Sequence, residues 1–77
     1  NVTIQTVQMI GKKTFFFRGG RWVDSKLTEE EEKNANKITR YGDEYFELIR
    51  QHGREIGQYY ALDESVVVKI GEKVYEW

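Results

Sequence analysis

The segment 13–25, Lys-Thr-Phe-Phe-Phe-Arg-Gly-Gly-Arg-Trp-Val-Asp-Ser, constrains the fold more than any other part of the chain. Three of the four Phe and one of the two Trp lie in it, on either side of a Gly-Gly pair. Large rings dominate the cores of small domains, and adjacent glycines supply the positive φ that a tight reversal needs. The segment therefore predicts two core strands joined by a turn, with Arg21–Asp24 as the second of them. At 77 residues the chain is expected to form one domain, 1–77. That is close to the size at which a single core only just outweighs the entropy of ordering the backbone.

Two further glycine turns set strand registers. Gly11-Lys12 is the Gly-X pair of a type II′ turn, which sets Ile10 opposite Lys13 and Val7 opposite Phe16. One face of that hairpin then carries Thr6, Gln8, Ile10, Phe15 and Phe17, and the other carries Val7, Met9 and Phe16. Both faces are partly apolar, so the hairpin is either sandwiched or offers one face to a partner. Upstream the alternation slips between Ile4 and Val7, which predicts a bulge near Gln5 or a loose N-terminal arm. Gly71-Glu72 repeats the turn chemistry, placing Val66, Val68, Ile70, Tyr75 and Trp77 on a core face with Val67, Lys69, Val74 and Glu76 opposite.

Between the hairpins the chain changes character. Residues 26–36 hold four consecutive glutamates and no aromatic ring, and are expected to form a mobile acidic loop or a frayed helical turn. Thr28 and Glu31 nonetheless have the spacing of a capping box. Strand chemistry resumes over 37–41 through Ile38 and Thr39. Asp43 is a suitable N-cap for a helix through His52, ended by Gly53, with Tyr45, Leu48, Ile49 and His52 on one face. A second helix, Arg54–Tyr60, follows. The expected fold class is α+β: a small, strongly curved antiparallel sheet of two hairpins plus two short strands, open or half closed into a barrel, covered by one or two helices.

Composition narrows function mainly by exclusion. Twelve Lys and Arg against thirteen Asp and Glu leave a net charge of −1, so no long-range field draws the chain to nucleic acid or an anionic membrane. Without cysteine there is neither a disulfide nor a thiolate metal site. No apolar run approaches the roughly 20 residues of a membrane helix. The chain opens on Asn1, which suggests a domain excised from a longer polypeptide or a processed product.

Reactive chemistry is weakly represented. His52 is the only histidine, and its place in the last turn of a helix is explained by the macrodipole. The glutamate run lacks the alternating ligands and sharp glycine turn of a calcium loop. Asp24 is expected to brace the Gly-Gly turn by pairing with Arg18 and Arg21, and Gly19-Gly20 precedes a strand rather than the helix of a phosphate loop. No catalytic, cofactor-binding or metal-binding residue is predicted, and the chain is not expected to be an enzyme. One constellation has a binding character: Phe15, Phe16, Phe17 and Trp22 with Lys12, Lys13, Arg18 and Arg21. It predicts a partner-binding face of Val7, Met9, Phe16, Arg18 and Arg21, serving a protein partner or another domain of the parent chain, with the isolated domain a monomer. The alternative, nucleic-acid binding through the basic and aromatic first hairpin, ranks below it.

Gly11-Lys12-Lys13-Thr14-Phe15-Phe16, Gly20-Arg21-Trp22-Val23-Asp24-Ser25, Asp43-Glu44-Tyr45-Phe46-Glu47-Leu48 and Tyr60-Ala61-Leu62-Asp63-Glu64 lead into Val66-Val67-Val68 and Val74-Tyr75. Together they resemble a small C-terminal module of bacterial secreted or surface proteins that carry a vault/inter-alpha-trypsin-inhibitor (VIT) domain and a von Willebrand factor type A domain. The resemblance implies a non-catalytic accessory module of an extracytoplasmic protein involved in adhesion or assembly. It carries over no functional residue: the adhesion-site pattern Asp-x-Ser-x-Ser is not continued by Asp24-Ser25-Lys26.

Overall fold

The computed structural model describes residues 6–77. In chain order the elements are β1 (Val7–Ile10), β2 (Lys13–Arg18), β3 (Arg21–Asp24), α1 (Glu29–Lys33), β4 (Asn36–Lys37), α2 (Asp43–His52), α3 (Arg54–Tyr60), β5 (Ser65–Ile70) and β6 (Lys73–Glu76). Among the described residues the architecture is α+β, a six-stranded sheet with three helices that does not close into a barrel.

The turn glycines set the registers. Gly11 and Gly71 have φ of 61° and 65° while Lys12 and Glu72 stay at negative φ, the signature of type II′ reversals. They pair Ile10 with Lys13, Val7 with Phe16 and Ile70 with Lys73. Gly19 and Gly20 both have positive φ, 57° and 79°, as a type I′ turn needs, and pair Arg18 with Arg21. The alternation slip near Gln5 lies outside the described residues.

The strand order is β1-β2-β3-β5-β6-β4. Here the fold departs from the wholly antiparallel sheet that short connections suggest. β3 runs parallel to β5, and β4 parallel to β6. The chain between β3 and β5 includes all three helices, and a crossover of that length delivers its next strand parallel to the last. β4 is also shorter than the 37–41 strand expected. It stops at Lys37, Ile38 drops into the core, and Tyr41 takes φ 66° in the turn before α2.

Alternation divides the sheet into two unequal faces. On the inner face Phe15, Trp22, Val66, Val68, Ile70, Tyr75 and Trp77 pack against Tyr45 and Leu48 of α2 and Ile56 and Tyr59 of α3. Phe15 meets Tyr59 edge-on with ring centroids 5.3 Å apart, and Tyr60 stacks on Tyr45 while its hydroxyl donates to the Tyr45 carbonyl at 2.7 Å. The residue capping α2 at its start is Gly42, and Asp43 is the first helical position rather than the cap. Asp43 and Glu44 still suit the positive end of the helix dipole. Gly53, with φ 57° and its amide donated to the Ile49 carbonyl, separates α2 from α3.

The outer face holds a smaller cluster of Val23, Val67 and Val74, covered by Leu27 and Ala35 on either side of α1. The sequence suggests a mobile loop or frayed turn over 26–36; the segment forms a helical turn with a complete capping box. The Glu31 amide donates to Thr28 Oγ1 at 3.1 Å, and the Thr28 amide donates to Glu31 Oε1 at 3.0 Å.

Candidate functional site

The five residues predicted to bind a partner fall into two groups. Val7, Met9 and Phe16 share the outer face of the first hairpin, Val7 directly opposite Phe16, and remain 44%, 74% and 41% exposed. The cluster that α1 helps to cover is centred on β3, β5 and β6, and these three side chains lie outside it. Large apolar side chains on one face of one hairpin form the contiguous patch that scattered surface residues do not.

The backbone adds to this patch. Ile10 and Lys13 close a two-residue turn, and the Phe17 amide donates to the Thr6 carbonyl at 2.8 Å. Hydrogen-bonded and non-bonded pairs alternate in an antiparallel ladder. Val7 and Met9 therefore turn their N–H and C=O groups away from β2, toward the end of the sheet. Among the described residues no strand pairs with that side of β1.

Arg18 and Arg21 belong elsewhere. Both guanidiniums bind Glu32 of α1, at 2.8 and 2.7 Å, and Arg21 also reaches Glu76 at 3.1 Å. Lys69 of β5 binds Glu31 at 3.0 Å. These contacts hold α1 against the outer face, so both arginines act as braces. The Glu31 carboxyl is held below the usual glutamate range, first by the Thr28 amide, then by Lys69. A carboxyl lowered in the folded state adds stability above its unfolded titration range and loses it as pH falls through the folded one. Acid should therefore loosen α1. Glu32→Ala, which removes two braces at once, should speed amide exchange at Glu32 and Asn34 while lowering global stability by about 1 kcal/mol, since the Arg18 side of the network is open to solvent and the Arg21 side only partly so. A loss as large as that of a core truncation would show that α1 is integral to the cooperative unit.

Asp24 does not pair with Arg18 or Arg21. It sits on the inner face beside Phe15 and Trp22, with no exposed side-chain area, and both arginines lie on the other face. Its Oδ2 accepts from Lys13 Nζ at 2.8 Å and from the Lys69 amide at 3.2 Å, while Oδ1 accepts from the Lys26 amide at 3.1 Å. The parallel ladder between β3 and β5 ends at Val23 and Val67, and this carboxylate takes the next free amide.

The rings of the first hairpin are also divided. Phe15 is fully buried and Phe17 packs on Trp22 with centroids 4.9 Å apart, while Phe16 alone faces out. A second feature, only partly legible in the sequence, is a cleft between the Gly11 turn and α3 that gathers Lys12, Lys13, Lys26 and Arg54. Lys12 and Lys13 stand out as neighbours in sequence. Lys26 and Arg54 join them only through the sheet and the helix packed on it, and carry no local signal.

His52 lies half-buried in the last turn of α2, and among the described residues no three His, Asp or Glu side chains converge as a metal site. Among the described residues no helix is long and apolar enough to cross a membrane. Comparison with protein-family models, with curated proteins and with solved structures finds no match to this chain.

Proposed function

We propose that the domain is a non-catalytic interaction module that captures an extended segment of a protein partner along β1. The observation that carries this reading is the coincidence, on one strand, of outward backbone groups at Val7 and Met9 with the exposed side chains of Val7, Met9 and Phe16. Strand addition draws affinity from such main-chain groups and specificity from alternate side chains of the added strand. A partner segment with apolar residues at every second position would bond to β1 and cover Val7 and Phe16 together. The resemblance to a module of VIT and von Willebrand factor type A proteins supports placing the parent protein outside the cytoplasm, where the captured segment would belong to an adhesion or assembly partner.

Selection of displayed random 12-residue peptides against the domain tests the reading. Enriched peptides should alternate apolar residues, and Met9→Pro should weaken them about tenfold or more by deleting an edge donor that the hairpin itself does not use. Phe16→Ser should do the same through the lost contact area. Recovery of no peptide, or of peptides indifferent to both substitutions, removes the proposal. A concentration-dependent dimer abolished by Met9→Pro would instead make a second copy of this chain the occupant.

A further inference from the structure

The cleft between the Gly11 turn and α3 has a volume of about 540 Å³, within the range of small-molecule sites. Its lining is basic in a chain whose net charge is −1. Four cations, Lys12, Lys13, Lys26 and Arg54, face one lining carboxylate, Glu55, and the buried Asp24 bound to Lys13. Two positive charges are left over. Lys12, Lys26 and Arg54 form no ion pair among the described residues. Like charges gathered around a concavity repel, and a bound anion relieves that repulsion.

Two features suit the cleft to an anion in particular. Lys13 Nζ is anchored to a side chain with no exposed area, so its position is set from beneath, and an ammonium with three protons keeps two for another acceptor. Tyr59, also in the lining, keeps its hydroxyl proton: burial first, then Glu55 and Asp24, push its titration up. Charge selects the ligand class. A carboxylate would neutralise one of the two surplus charges, whereas a phosphate group carries about −1.5 to −2 near pH 7 and matches the fork of Arg54.

We propose that this cleft binds a small phosphate-bearing ligand, held by Lys26 and Arg54 with Lys12 and the Asp24-anchored Lys13 on the hairpin side. The site lies on the helix-covered side of the sheet, away from Val7, Met9 and Phe16, and stands independently of the strand-capture reading.

The test is a titration of the 77-residue chain with sodium phosphate, pyrophosphate and ribose 5-phosphate at ionic strength fixed with sodium chloride, followed by amide chemical shifts. Saturable shifts should concentrate at Gly11, Lys12, Lys13, Lys26, Arg54 and Gln58. Lys26→Ala and Arg54→Ala, both at exposed positions, should each weaken binding about tenfold without changing the melting temperature. Tighter binding of ribose 5-phosphate than of phosphate identifies an organic phosphate; the reverse identifies the free ion. Absence of saturation with all three, shifts spread equally over Lys33, Lys37 and Lys73, or tighter binding of a single-stranded oligothymidylate than of pyrophosphate through the same residues would each overturn the proposal.

Discussion

Asp24→Asn is expected to cost about 3 kcal/mol, although it changes one atom of a side chain that no solvent touches. The carboxylate is purely an acceptor and meets three donors: the Lys13 ammonium, the Lys69 amide and the Lys26 amide. An asparagine keeps one oxygen and turns an NH2 group toward at least one of those donors, where it cannot bond. The substitution also strips the charge that compensates Lys13, whose side chain is only 17% exposed. Domains of this size are stable by roughly 4 to 12 kcal/mol, so the variant should lose a large fraction of its total and shift its urea midpoint accordingly. Lys13→Met should cost a comparable amount, about 3 kcal/mol, because it leaves the Asp24 charge, which no solvent touches, with only two backbone amides. The double variant should fall short of the sum. An Asp24→Asn midpoint within error of the parent would mean that the Asp24 carboxylate does not hold these three donors in solution.

The second large effect is a contrast between sequence neighbours. Phe15→Ala should cost about 3 to 5 kcal/mol, since Phe15 has no exposed area and its ring closes against Tyr59 of α3. Phe16→Ala should cost less than about 1 kcal/mol, because a side chain 41% exposed leaves no sealed cavity when truncated. Thermal denaturation of the two variants side by side decides the matter. Equal losses would imply that Phe16 is covered in solution, leaving the first hairpin without a free apolar face.

Local chemistry made the hairpins legible. A glycine at the first turn position fixes a two-residue reversal, the reversal fixes the register, and alternation then sorts every side chain to a face. Val7 opposite Phe16 and the core row from Val66 to Trp77 follow from that chain of steps alone. The same alternation contained the answer for Asp24. As the third residue from Arg21 in one strand it lies on the opposite face, out of reach of Arg18 and Arg21, so mere nearness in sequence was the wrong guide. The parallel joins were not legible, because they depend on where a long helical crossover returns the chain. The glutamate run was readable as a capped turn, but its order depends on Arg18, Arg21 and Lys69, none of which a local window contains. The basic cleft was hidden for the same reason.

The two margins of the sheet are unlike. One is β1, with outward main-chain groups; the other is β4, two residues long and carrying Lys37, where the Asn36 side-chain amide donates to the Val74 carbonyl of the neighbouring β6 at 3.2 Å. A short, charged margin resists further pairing. Among the described residues, a chain that pairs along β1 therefore meets no strand of equal length at the far margin from which to continue, a geometry that favours a closed pair over an open fibre.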